Sequence, residues 1–162
     1  MGINWVELFS GISHEWATFL LAMLPIGELR AALPIAIGVY KIIWWKAFLL
    51  CVIGNMVPVV FILYLLEPVS NFLRKWKIFD KFFTWLFNRT RRKFYSHHQK
   101  WGDIGLVIFV GIPLPITGAW TGALAAWLFG IKYKRALPLI FLGVIIAGVI
   151  VSILSLGVIS IF

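Results

Sequence analysis

Glu28 and Arg30 stand two residues apart inside an apolar stretch, Trp16 to Tyr40, that is interrupted by Pro25 and Pro34. A charge at bilayer depth costs about 2.5–3.5 kcal/mol on insertion scales, so two of them in such a stretch require a partner or a task. Arg30 is a fixed cation suited to a phosphate or carboxylate, and Glu28 is a carboxyl that desolvation can tune for proton exchange. Their i, i+2 spacing separates them on a regular helix. In a broken hairpin tip, both can face one polar cavity. The plainer alternative is a structural ion pair that holds the tip closed, or side chains that snorkel to the interface.

The same core recurs later without charge: Leu24-Pro25-Ile26-Gly27 is echoed by Leu114-Pro115-Ile116-Thr117-Gly118. Paired Pro/Gly-interrupted hydrophobic segments in two halves of a chain point to the binding site of a transporter built from internal repeats. The expected tip residues are Pro25, Gly27 and Pro34 in the first copy and Pro113, Pro115, Gly118 and Gly122 in the second. Thr117, Trp120 and Thr121 would line the cavity, with amides after Pro115 turned toward an anionic group held by Arg30. Gly118 and Gly122, joined by Ala126, form a stripe of small residues that permits close helix approach, between the tips or between two copies of the chain. Asn55, in Gly54-Asn55-Met56-Val57-Pro58, either bonds backbone freed by the first tip or faces the pathway.

Other chemistry finds little support. His97 and His98 are adjacent and lack companion ligands, so no metal site is expected. Cys51 is the one cysteine, which rules out an intrachain disulfide. Motifs for a nucleophile, a nucleotide loop or a redox cofactor are missing, so neither an enzyme nor a cofactor is expected.

The elements that must position these residues follow from composition. With 62% hydrophobic and 13% charged residues and a mean hydropathy of +0.97, the chain departs from soluble domains, which carry about 45–50% apolar and about 25% charged residues. Positions 47–66, 104–131 and 136–162 hold no Asp, Glu, Lys or Arg, and each reaches the roughly 20 residues that cross a hydrocarbon core. The chain reads as one all-α integral membrane domain, 1–162.

Four plain spans would place nine Lys/Arg on one face and five on the other. If the first and third segments are instead re-entrant hairpins, the split becomes twelve against two, which the positive-inside rule favours. Residues 67–103 and 131–135 are then cytoplasmic and both termini outside, in a multi-pass protein of the inner or plasma membrane. Arms of about 12 residues rise roughly 18 Å and pass the middle of the core. The result is an inverted repeat of hairpin plus span, about 16–66 and about 104–162.

Between the repeats, a basic interfacial helix is expected over about 69–100, with Phe72, Leu73, Trp76, Phe79, Phe83, Leu86 and Phe87 at helical spacing. Arg89, Arg91, Arg92 and Lys93 continue its cationic surface, which suits anionic lipid of the inner leaflet. The net charge of +9 belongs to this membrane-interface pattern and not to nucleic-acid binding.

Gly27-Glu28-Leu29-Arg30-Ala31-Ala32-Leu33-Pro34, Trp101-Gly102-Asp103-Ile104-Gly105-Leu106 and Pro113 to Ala123 together resemble the small multi-drug export protein family over most of the chain. More distantly, the layout of two opposed hairpins is similar to the DedA superfamily, which includes lipid scramblases and undecaprenyl phosphate carriers. That resemblance implies a midplane polar cavity with an acidic residue in the first hairpin, where Glu28 matches. The superfamily's arginines around Pro113 are replaced here by Val110 and Ile116, so Arg30 would supply the positive charge.

The expected function is translocation of an amphipathic or anionic substrate, above all a lipid or lipid-linked phosphate, through a midplane site. Two rivals remain open: proton-coupled export of small amphipathic cations, with Glu28 as counter-ion, and a non-transporting membrane scaffold.

Overall fold

The computed structural model describes residues 11–73, 75, 76, 80, 81, 84, 99–113 and 117–161. Among them no strand occurs, and the fold is set by α1 (His14–Met23), α2 (Glu28–Gly38), α3 (Trp44–Leu73), α4 (Gln99–Gly111), α5 (Ala119–Leu128) and α6 (Tyr133–Ile161). α1 packs on α2, and α4 on α5. Each of these four helices has 10 to 13 residues and rises about 15–20 Å, short of a core about 30 Å thick. α3 and α6 are different. Trp44–Ser70 and Tyr133–Val158, with mean hydropathies of 2.5 and 2.9, are long and apolar enough to cross a membrane. The two broken hydrophobic stretches are thus helical hairpins, each followed by one long apolar helix.

Proline explains where the first hairpin turns. The residue before a proline is pushed out of the helical region, and Leu24, preceding Pro25, is extended at φ −74, ψ 139 and ends α1. The turn of residues 24–27 closes through the Glu28 amide, which donates to the Leu24 carbonyl at 2.9 Å. The connection in the second hairpin runs from Gly111 of α4 to Ala119 of α5. Its edge is tied by the Thr117 hydroxyl, which donates to the Ile112 carbonyl at 2.9 Å.

The chain divides into two compact units, Met1–Val57 with Ala147–Phe162, and Pro58–Ile146, with both boundaries falling inside the long helices. In the first unit, Ala17, Leu21 and Ala22 of α1, Leu29, Ala32, Leu33 and Ala36 of α2, and Ala47 and Cys51 of α3 are all buried. The second buries Leu106 and Val110 of α4, Ala119, Ala123 and Ala126 of α5, and Ala136, Ile140 and Val144 of α6. Alanine recurs in both because small side chains let helices approach closely where lipid offers no hydrophobic drive. Large apolar side chains such as Leu49, Ile53, Phe61, Ile153 and Leu154 point outward.

One contact occurs once in each unit. A methyl placed on Gly54 of α3 would fall 2.6 Å from the Phe19 carbonyl oxygen and 3.1 Å from Ala22 Cβ of α1. A methyl on Gly143 of α6 would fall 3.0 Å from the Val107 carbonyl oxygen and 2.7 Å from Val110 Cβ of α4. Phe19 and Ala22 stand 88 residues before Val107 and Val110, and Gly54 stands 89 before Gly143. The loop into each long helix also turns through a left-handed residue, Lys41 at φ 54 and Gly130 at φ 69.

The structure revises several expectations. α3 and α6 begin at Trp44 and Tyr133, before the charge-free runs, because interfacial aromatics and Lys46, Lys134 and Arg135 sit comfortably in a first helical turn at the membrane edge. Pro34 lies inside α2 and Gly122 inside α5, so neither is a tip residue. Pro34 is tolerated at the cost of the helical bond to the Arg30 carbonyl. The expected interfacial helix over 69–100 meets α3 through Leu73 and α4 from Gln99, and most of the stretch between them, with Phe79, Phe83, Leu86 and Phe87, lies outside the described residues. Arg89, Arg91, Arg92, Lys93 and Pro115 lie outside the described residues.

Candidate functional site

Glu28 opens α2 directly after the tight turn and adopts φ 45, a left-handed conformation that few non-glycine residues hold. Its side chain therefore leaves the backbone in a direction no helical position would give it, and it is buried, at 8% exposure. Arg30, two residues on, is half-buried, and the Glu28 carboxylate acts coulombically on its guanidinium.

The first unit also collects buried oxygens with no hydrogen-bond partner among the described residues. Asn55 is 3% exposed, and its Oδ1, like Tyr40 Oη and Ser152 Oγ, has no hydrogen-bond partner among the described residues. A buried oxygen left in that state costs about 1–3 kcal/mol, so water or a ligand group is the natural complement. Ser152 sits one turn beyond Gly148 on α6. A methyl placed on Gly148 would fall 3.3 Å from Leu29 Cδ1 and 2.7 Å from Phe48 Cε2, so this part of α6 packs on the residue next to Glu28. Tyr40 stacks on His14 with ring centroids 4.6 Å apart, and burial raises its phenol above the usual pKa.

The second-hairpin residues behave differently. Thr117 donates to Ile112, and the Thr121 hydroxyl donates to the Gly118 carbonyl at 3.2 Å. Both hydroxyl protons are thereby spent on the turn and the first turn of α5. Trp120 lines an apolar groove of about 310 Å³ with Leu124 of α5 and with Phe61, Ile62, Leu65 and Val69 of α3. Gly122 lies against Val110 of α4, and its stripe partners Gly118 and Ala126 are buried. The stripe therefore serves packing within the second unit. Glu28, Arg30 and Asn55 belong to one unit and Thr117, Trp120 and Thr121 to the other. No cluster of three or more metal-ligating side chains occurs among the described residues.

Two ion pairs escaped the sequence reading. Lys46 Nζ lies 3.1 Å from Glu15 Oε1, joining α3 to α1, and Arg135 binds Asp103, joining α6 to α4, with Nε 2.7 Å from Oδ2. Glu15 and Asp103 are 88 residues apart, and Lys46 and Arg135 are 89 apart, the offsets of the glycine contacts. That common spacing was the signal available in the chain. It was obscured because the two Leu-Pro-Ile motifs align at 90, while the ends of α1 and α4 stand 88 residues apart and the starts of α2 and α5 stand 91 apart.

A family profile describing small multi-drug export proteins matches residues 28–150. No curated protein and no solved structure matches the chain.

Proposed function

The chain belongs to the small multi-drug export protein family, a membrane export family, and from that premise we propose that it carries an amphipathic, anionic-headed substrate, a lipid or lipid-linked phosphate, past a site built on Glu28 and Arg30. The observation that carries this reading is the burial of Glu28 in a left-handed conformation beside Arg30. Strain of this kind persists only where the surroundings hold it, and it gathers at functional sites. Arg30 binds the anionic head, and Glu28 sets the charge of the site and exchanges the coupling proton. Asn55 and Ser152 offer buried oxygens to a polar group in transit.

In this reading the two hairpins are re-entrant and inverted, with residues 67–103 and 131–135 cytoplasmic and the termini outside. The paired glycine contacts support the repeat, and the charge distribution supports its inversion. Thr117 and Thr121 shape the second tip.

One observation favours a second reading. The buried carboxylate of Glu28 suits a small amphipathic cation, with Glu28 as its counter-ion.

Reconstitution in liposomes separates the two. Translocation of a fluorescent phospholipid that is lost in Glu28→Gln and Arg30→Ala supports the first. Efflux of a lipophilic cationic dye that needs Glu28 and survives Arg30→Ala supports the second. Equal activity of wild type and both variants toward both probes would remove the site assignment.

A further inference from the structure

The two ion pairs occupy equivalent places. In each unit the acidic partner lies four residues before the arm residue whose carbonyl faces the glycine, Glu15 before Phe19 and Asp103 before Val107. The basic partner lies eight residues before that glycine, Lys46 before Gly54 and Arg135 before Gly143, about 12 Å along the helix. The first arm of each hairpin is thus held to the long helix that follows it at two points, a glycine seam and an ion pair at the mouth.

The two mouths are not equally strong. Asp103 is gripped by two nitrogens of a planar guanidinium and its side chain is 19% exposed, while that of Arg135 is 52% exposed. Glu15 meets a single ammonium, with both side chains nearly half exposed at 44% and 47%. Guanidinium–carboxylate pairing holds geometry better than an ammonium on a flexible stem, and exposed pairs contribute little.

We propose that Glu15–Lys46 and Asp103–Arg135 are matched latches, and that release of the weaker one frees the first arm of the Glu28-bearing hairpin to swing on the Gly54 seam and admit substrate. The four residues act as positioning residues: they touch no substrate but govern when the site is open. This proposal rests on the transport reading above, yet its test does not require transport.

The reporter is a buried position between latch and seam. Thr18, on α1 between Glu15 and Ala22, is fully buried, and Leu106 is its counterpart on α4 at 3% exposure. In a Cys51→Ala background, Thr18→Cys and Leu106→Cys are labelled separately with a water-soluble maleimide in proteoliposomes. Thr18→Cys should react faster than Leu106→Cys. Lys46→Glu should speed the Thr18→Cys reaction by up to about fivefold, the ceiling for an exposed pair, and leave Leu106→Cys unchanged. The swap Glu15→Lys with Lys46→Glu should restore the slow rate, and it also shows that the reversed variant folds. An unchanged rate in Lys46→Glu, or a swap that fails to restore it, overturns the latch. If wild type moves neither lipid nor dye while labelling follows the expected pattern, the transport reading fails and the latch stands. If transport proceeds and labelling ignores the charge changes, the latch alone fails.

Discussion

The carbonyl oxygen of Phe19 occupies the notch left by the missing side chain of Gly54, and a methyl there would fall 2.6 Å from it. The first hairpin therefore meets α3 backbone to backbone. Gly54→Ala must push α1 away, and Gly143→Ala must do the same to α4 through Val110. Each should lose about 1–3 kcal/mol, the usual cost of overpacking. Gly105→Ala, which meets nothing within 4 Å, should be neutral or slightly stabilising. Thermal unfolding in detergent compares the three, and equal stability of all of them would contradict the seam.

Glu28 permits a test of backbone strain by sign. In a helix interior glycine is about 1 kcal/mol less stable than alanine. At φ 45 the order should invert, because alanine keeps the left-handed clash and glycine does not. Glu28→Gly is expected to unfold at a higher temperature than Glu28→Ala, while both lose transport. The ordinary helical order would show that residue 28 is not held in the left-handed region.

Asn55 Oδ1 is buried without a partner among the described residues, so its removal should cost little stability. Asn55→Leu is expected to hold stability within about 1 kcal/mol or to raise it, since a buried unpaired oxygen is itself unfavourable. Transport should nonetheless fall if that oxygen serves the pathway. A variant that is well folded and fully active would place Asn55 outside it.

A backbone hydrogen bond first, and then the Lys46 ammonium, hold the Glu15 carboxyl below its ordinary pKa of 4.5. With the folded value depressed, the contribution of the pair is fully present above 4.5 and is lost as pH falls through the lower folded value. The Glu15–Lys46 contact should therefore be intact at neutral and mildly acidic pH. NMR of protein carrying 13C-labelled glutamate should show the Glu15 resonance titrating below 4.5, and moving up in Lys46→Gln. An unshifted titration would remove Lys46 as its partner.

Much of the architecture was legible because its causes are local. Pro25 and Pro113 act on the residues beside them, and hydropathy over 20 or more positions decides which helices can span. The two long apolar helices and the break in the first apolar stretch at Pro25 follow from those properties alone. The family resemblance read from Gly27 to Pro34 and Pro113 to Ala123 agrees with the profile match over residues 28–150.

Tertiary structure decided the rest. Glu15 reaches Lys46 across 31 positions and Arg135 reaches Asp103 across 32, contacts that exist only once each hairpin lies along its following helix. The left-handed conformation of Glu28 occurs where α2 starts directly after the turn of residues 24–27. Thr117 and Thr121, polar groups free to serve a cavity when read as letters, spend their protons on nearby carbonyls. Proline and hydropathy act through neighbours in the chain, and so they can be read from it. Partnerships between charges and the fate of hydroxyls depend on neighbours in space, which only packing supplies.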